Sequence, residues 1–172
     1  TELYDRIIKL RKLIREKEID AVFAYSAANN RYLSGFTGST GYTIVGSDNA
    51  DFITDFRYME QAHEQCKGYN IVIQKGNIFD EVNKIITDNK IKRLGIEEDF
   101  MTVEMFEELK SKLPGIELLP AKGIFNKLRI VKDNSEIENI RKAAEIADKA
   151  FAHILGYIKP GSAELEVALE LE

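Results

Sequence analysis

The chain has 172 residues, 44 % of them hydrophobic and 31 % charged, with a formal net charge of −5. This is the composition of a folded globular chain rather than a disordered one, and the acidic balance argues against nucleic acid as a partner, because phosphate neutralisation demands a basic face. No apolar run approaches the ~18–20 residues needed to span a bilayer. Thr1-Glu2-Leu3-Tyr4-Asp5-Arg6 lacks the basic-then-apolar layout of a signal peptide, and the single cysteine, Cys66, has no internal disulfide partner. A cytoplasmic protein without membrane contact is the expectation.

In chain order, Leu3, Ile7, Leu10 and Ile14 share one helical face over residues 2–17. Asp20-Ala21-Val22-Phe23-Ala24-Tyr25 reads as a strand buried on both faces. Ser26 is placed to cap a brief helix through Leu33, which Gly35 would end. Tyr42–Val45 and Asp51–Thr54 flank Gly46-Ser47-Asp48-Asn49 and read as a hairpin. Residues 57–66 carry Met59, Ala62, His63 and Cys66 at helical spacing, with Gly68 beyond. Strands are predicted at 69–73, 94–96 and 116–119. Helices capped by Asn77 and Thr102 lie between them, with Ile78, Val82, Ile85 and Ile86 on the first and Val103, Phe106, Leu109 and Leu113 on the second. Alternating helices and short strands with one hairpin predict an α/β domain built on a mixed six-stranded sheet flanked by helices, spanning residues 1–128.

Residues 129–172 read differently. Asp133-Asn134-Ser135-Glu136 is a capping-box start. Ile137, Ile140, Ala144, Ala147, Phe151, Ile154 and Ile158 then step by three and four. Pro160-Gly161 breaks that helix and Ser162 is placed to cap another. No helix stop signal precedes residue 172, so the chain is expected to be cut from a longer one.

Metal chemistry finds little support. His63 and His153 lie on different predicted helices without a second ligand at metal spacing, and both are read as partly buried helix histidines. Cys66 lies on an apolar face and is read as a small core residue. Asp51/Asp55 and Glu97-Glu98-Asp99 are read as solvated turn acids. The stretch Gly35-Phe36-Thr37-Gly38-Ser39-Thr40-Gly41 spaces three glycines evenly among hydroxyl and aromatic residues, so a docking surface is expected there. A phosphate cradle is one reading, although no Gly-Lys-Ser/Thr follows and the loop enters a strand rather than a helix. Asp55-Phe56-Arg57-Tyr58 follows a strand and opens a helix. Asp55 is placed to cap it, and an arginine beside an aromatic suits a carboxylate; a plain surface ion pair of Arg57 with a nearby acid is the competing reading.

Three stretches together resemble one family. Asn30-Arg31-Tyr32-Leu33-Ser34-Gly35-Phe36-Thr37-Gly38-Ser39 is similar to the N-terminal-domain signature of the proline-specific metallopeptidases, the Xaa-Pro aminopeptidases, prolidases and creatinase. Thr54-Asp55-Phe56-Arg57-Tyr58 with Gln61-Ala62 resembles the next signature of that domain. Arg129–Ala144 with Lys159-Pro160-Gly161 and Glu164 to Ala168 resembles the join into the "pita-bread" catalytic domain.

The resemblance implies a creatinase N-terminal, ribonuclease-H-like fold at 1–128, followed at 129–172 by the first helices of a truncated catalytic domain. It implies hydrolysis of the bond preceding proline in short peptides by a centre of two divalent metals of Mn, Co or Zn type. The ligands of that centre would lie in the missing half, so no catalytic residue and no metal ligand is assigned in this chain, and the fragment is expected to be inactive. By the same resemblance the domain caps a cleft and supports a homo-oligomer. Phe36 would offer an apolar wall, Arg57 and Tyr58 would contact a peptide carboxylate or a partner loop, and Gly35, Gly38 and Gly41 would shape the loop. Two alternatives stand beside this: a non-enzymatic α/β module binding an anion at Gly35–Gly41, and a catalytically dead scaffold paralogue.

Overall fold

The computed structural model describes residues 2–172. The chain divides into two compact units, Thr1–Ile130 and Val131–Glu172.

In the first unit, α1 (Glu2–Glu16) buries Ile7, Leu10 and Ile14. The following elements are β1 (Ala21–Ala24), α2 (Ala27–Ser34), β2 (Tyr42–Gly46), β3 (Ala50–Thr54), a 3₁₀ turn at Phe56–Tyr58, α3 (Met59–Gln65), β4 (Asn70–Ile73), α4 (Ile78–Asp88), β5 (Arg93–Ile96), α5 (Val103–Lys112), β6 (Glu117–Pro120) and α6 (Lys122–Ile130). The strands form one six-stranded sheet in the order β4-β3-β2-β1-β5-β6. β2 pairs antiparallel with both β1 and β3, and the other pairings are parallel. β2 therefore runs against the rest, and the carboxyl ends of β1, β3 and β5 share one edge with the amino end of β2.

Alternation along β1 divides the core. Val22 and Ala24 face Leu10, Ile14, Leu33, Ile124 and Phe125 of the helices on one side. Ala21 and Phe23 face Phe79, Val82, Ile86 and Leu109 on the other. Such a centrally placed strand is covered on both faces and reads as a continuous apolar run. Burial of each large side chain is worth roughly 1.5–3 kcal/mol. The caps form as their residue types dictate: Asn77 and Thr102 accept the backbone N–H of Phe79 and Met105, each satisfying an otherwise orphaned donor.

α6 has no counterpart in the sequence reading. It buries Ile124, Phe125 and Leu128 against α1 and the sheet, and because it runs to Ile130 the unit boundary lies two residues beyond the expected residue 128. Its apolar face is only two turns long, too short to register as periodicity between Pro120 and the polar run that follows.

The second unit is the helical pair α7 (Asn134–Tyr157) and α8 (Glu164–Leu171). Asp133 accepts the Glu136 N–H while the Glu136 carboxylate accepts the Asp133 N–H, completing the capping box. The cap of α8 is Ala163 rather than Ser162. The Ser162 hydroxyl instead accepts the Lys159 N–H across the Pro160-Gly161 turn, and the Glu166 carboxylate accepts the Ala163 N–H.

Candidate functional site

The glycine stretch and the Asp55–Tyr58 stretch lie against one another beside the β3 end of the sheet, and the side chains show why. Gly35 ends α2 at φ +76°, donating its N–H to the Arg31 carbonyl, a backbone conformation that favours glycine. Gly38 and Gly41 are glycines for a different reason. A Cβ at Gly38 would overlap the Phe36 ring and press on Tyr58, and one at Gly41 would overlap the Phe52 ring and press on Phe36. The loop is thus cut to fit an aromatic cluster in which Phe36 packs tilted against Phe52, ring centres 4.8 Å apart, and meets Tyr58 edge-on at 5.6 Å. Phe36, expected as an apolar wall of a cleft, is only 3 % exposed and packs with Phe52, Ala62 and Cys66. Within this unit its ring is core.

The same loop is tethered to α3. Thr37 donates its N–H to the Gln65 side chain at 2.9 Å, and both Gln61 and Gln65 donate to the Thr37 hydroxyl at 3.0 Å. The hydroxyls of Ser39 and Tyr58 are 2.7 Å apart, and Thr54 donates to the Thr40 carbonyl. With the Thr37 N–H engaged and two glycine faces covered by rings, the loop is a lip tied to its neighbours and does not present an open cradle of N–H groups.

Asp55 caps the 3₁₀ turn by accepting the Arg57 N–H at 2.9 Å. It also holds the Arg57 guanidinium bidentately, Nε at 3.0 Å and Nη2 at 2.8 Å. The Arg57 side chain remains 61 % exposed, with its Cζ 5.5 Å from the centre of the Tyr58 ring. The surface ion pair weighed from the sequence is therefore formed, and one edge of the guanidinium still faces outward. The Arg57 hydrogen bonds hold the Asp55 carboxyl below the ordinary aspartate range. Phe56 and Met59, flanking the pair, are largely exposed.

Further along the same edge, the Tyr25 and Tyr42 rings pack tilted with centres 4.9 Å apart, and the Phe100 ring centre lies 6.0 Å from that of Tyr25. Burial, reinforced by Tyr25, pushes the Tyr42 hydroxyl up to about 12.

The carboxyl ends of β1 and β5 carry the feature that sequence reasoning missed. Glu97, expected as a solvated turn acid, is 2 % exposed. It accepts the Tyr25 N–H at 2.5 Å, the Ser26 N–H at 2.8 Å, the Ser26 hydroxyl at 2.6 Å and the Asn29 amide. Arg129 donates to the Asn29 side-chain oxygen at 2.9 Å, joining the network to α6. A cavity of about 360 Å³, lined by Asn29, Phe100, Lys122, Phe125 and Arg129, opens beside it. A carboxylate beside free N–H groups at a helix start is favourable, but only the β1–β5 pairing brings Glu97 to Ser26, seventy-one residues away. Asp51 is likewise buried, accepting the side-chain amides of Asn49 and Asn70. His63 is exposed, and His153 pairs with Glu170 on the surface of the second unit at 2.6 Å, so neither is the partly buried helix histidine expected. Cys66 is buried, as expected.

Among the described residues no group of three or more His, Cys, Asp or Glu side chains is placed to hold a metal ion, and no helix is long and apolar enough to cross a membrane.

The mixed six-stranded sheet flanked by helices is the fold of the N-terminal α/β domain of Xaa-Pro peptidases. The profile of the creatinase/prolidase N-terminal domain matches residues 6–131, and the chain belongs to that family. It is 41 % identical over 97 % of its length to the uncharacterized peptidase YqhT of Bacillus subtilis, of which it covers 47 %. The structure of an Xaa-Pro dipeptidase from Bacillus anthracis superposes with a TM-score of 0.93 at 41 % identity, covering 99 % of this chain and 48 % of that one. An N-terminal domain of the cytoplasmic peptidase PepQ from Mycobacterium tuberculosis, solved by itself, superposes at 0.67 with 31 % identity, covering 73 % of this chain and 98 % of that one. The chain spans about half the length of the full-length relatives it matches.

Proposed function

We propose that this chain is the substrate-capping and oligomerisation domain of a cytoplasmic Xaa-Pro peptidase that hydrolyses the bond preceding proline in short peptides. The observation that carries this reading is the exposed Arg57 edge, held by Asp55 against the tethered lip. A guanidinium with an outward-facing edge receives a carboxylate bidentately, and an Xaa-Pro dipeptide presents one at a fixed distance from its scissile bond. Tyr58 and the flanking Phe56 supply apolar surface beside it. Phe36 acts from beneath, by fixing Tyr58.

The family's chemistry calls for a pair of divalent metals, which would activate a water for attack on the peptide carbonyl. Among the described residues no donor set for them is present, and on this reading a separate catalytic domain would hold them. The part of the present domain is to bind and orient the peptide and to limit its length. A homo-oligomer, in which the lip of one subunit closes a cleft, accords with a lip that is finished as structure yet carries no catalytic group.

The test is made in the full-length enzyme. Arg57→Ala should raise KM for a short Xaa-Pro peptide with a free carboxylate by about tenfold or more, as expected for losing a charge-assisted contact, and should leave metal content unchanged. Equal KM values for variant and parent would reject the assignment. The separate 172-residue chain should show no metal-dependent Xaa-Pro cleavage.

A further inference from the structure

We propose that Asp55 is a positioning residue that presents Arg57 to an incoming peptide carboxylate; this rests on the reading of Arg57 given above. The turn at Phe56–Tyr58 is a single turn of 3₁₀ helix, and an arginine on so short a segment would sample many rotamers. Asp55 removes that freedom in two ways. One carboxylate oxygen accepts both the Arg57 N–H and the Arg57 Nε–H, while the other takes Nη2–H. Backbone and guanidinium are thereby clamped to one group, and the Tyr58 ring lies 5.5 Å from Cζ.

The geometry assigns the two edges of the guanidinium different work. Nε and one Nη2 hydrogen are spent on Asp55, which leaves one Nη1 hydrogen and the second Nη2 hydrogen along the end of the fork. That end edge matches a second carboxylate in spacing. Asp55 itself is anchored by the backbone it caps, so a ligand carboxylate adds to the pair rather than displacing it. The guanidinium is pre-paid in entropy, and a pre-organised group binds more tightly than a free one. The lip beneath supports the same orientation: Tyr58 is held by the Ser39 hydroxyl at 2.7 Å and by the Phe36 ring.

Asp55→Asn separates positioning from structure, because asparagine keeps the cap acceptor for the Arg57 N–H but loses the second acceptor and the charge. The experiment measures kcat and KM of the full-length enzyme on alanyl-proline and alanyl-prolinamide. Arg57→Ala should abolish the preference for the free acid. Asp55→Asn should reduce that preference about fivefold through KM, and adding it to Arg57→Ala should change the preference no further, the signature of coupled residues. On the 172-residue chain, rotation of the Arg57 Nη2 group should be slowed in the parent and freed in Asp55→Asn, which loses the oxygen that accepts Nη2–H. If Arg57→Ala abolishes the preference while Asp55→Asn retains it, the positioning role is overturned and the Arg57 reading stands. If Arg57→Ala leaves the preference intact, both fall. Slowed Nη2 rotation persisting in Asp55→Asn also overturns the role.

Discussion

Gly41 and Gly76 are both small residues in loops, yet the structure gives them opposite sensitivities. A methyl at Gly41 meets the rings of Phe52 and Phe36, whereas nothing lies within 4 Å of one at Gly76. Gly41→Ala should therefore destabilise the domain by about 1–3 kcal/mol through overpacking, and Gly76→Ala should be near neutral or slightly stabilising, as read from urea midpoints. Equal midpoints for the two variants would contradict the aromatic packing. Tyr42 supplies a pH test. Its folded pKa is raised from 10.0 to about 12 by burial, so its contribution is fully present below pH 10 and is lost as pH rises through about 12. Stability should fall over that alkaline window, and the fall should diminish in Tyr42→Phe. The spacing of the glycines was legible in the sequence; the reason for Gly38 and Gly41 was not. Their neighbours Phe52 and Tyr58 are eleven to twenty residues distant in the chain and meet them only through the β2–β3 pairing and the turn after it.

At the scale of elements, the joint between β1 and α2 depends on Glu97 from the end of β5. Glu97→Gln replaces an acceptor for the Ser26 hydroxyl or the Asn29 amide by a donor, leaving a buried polar group unmatched. A loss of about 1–3 kcal/mol is expected from such a mismatch, together with loosened hydrogen-exchange protection at the start of α2. Protection unchanged at Asn29 and Asn30 would show that the cap is held otherwise. Most elements announced themselves through periodicity and caps: Ser26, Asn77, Thr102 and Asp133 each cap the helix expected of them. α6 and the buried state of Glu97 did not, because a two-turn amphipathic face carries little signal and a strand-end acid looks alike whether it meets solvent or a neighbouring helix.

For the whole molecule, the two units differ in how they are finished. The first closes its core on both faces of the sheet, and a domain of this kind has been solved by itself in a relative. In the second, Ile140, Ile146, Phe151 and Leu155 of α7 and Leu165 and Leu169 of α8 stand mostly exposed, although burial of each would be worth roughly 1.5–3 kcal/mol. Apolar faces of this extent mark contact surfaces. The 172-residue chain should self-associate with rising concentration in light scattering, and Phe151→Glu should shift it towards monomer. A strict monomer at all concentrations would refute this.

The sequence by itself determined the order of most elements, the helix caps and, through three short motifs in register, the family, because capping, turn chemistry and local periodicity act over a few neighbouring residues. Only the tertiary structure decided which of the motif residues face outward. Phe36 turned inward because the hairpin carries Phe52 beneath it, Arg57 stayed outward because Asp55 clamps it from the same turn, and Glu97 was buried because parallel pairing of β1 with β5 delivers its carboxylate to unpaired N–H groups. The outcomes for Phe36 and Glu97 depend on partners distant in the chain that no local pattern encodes, whereas the Asp55–Arg57 pair joins residues two apart.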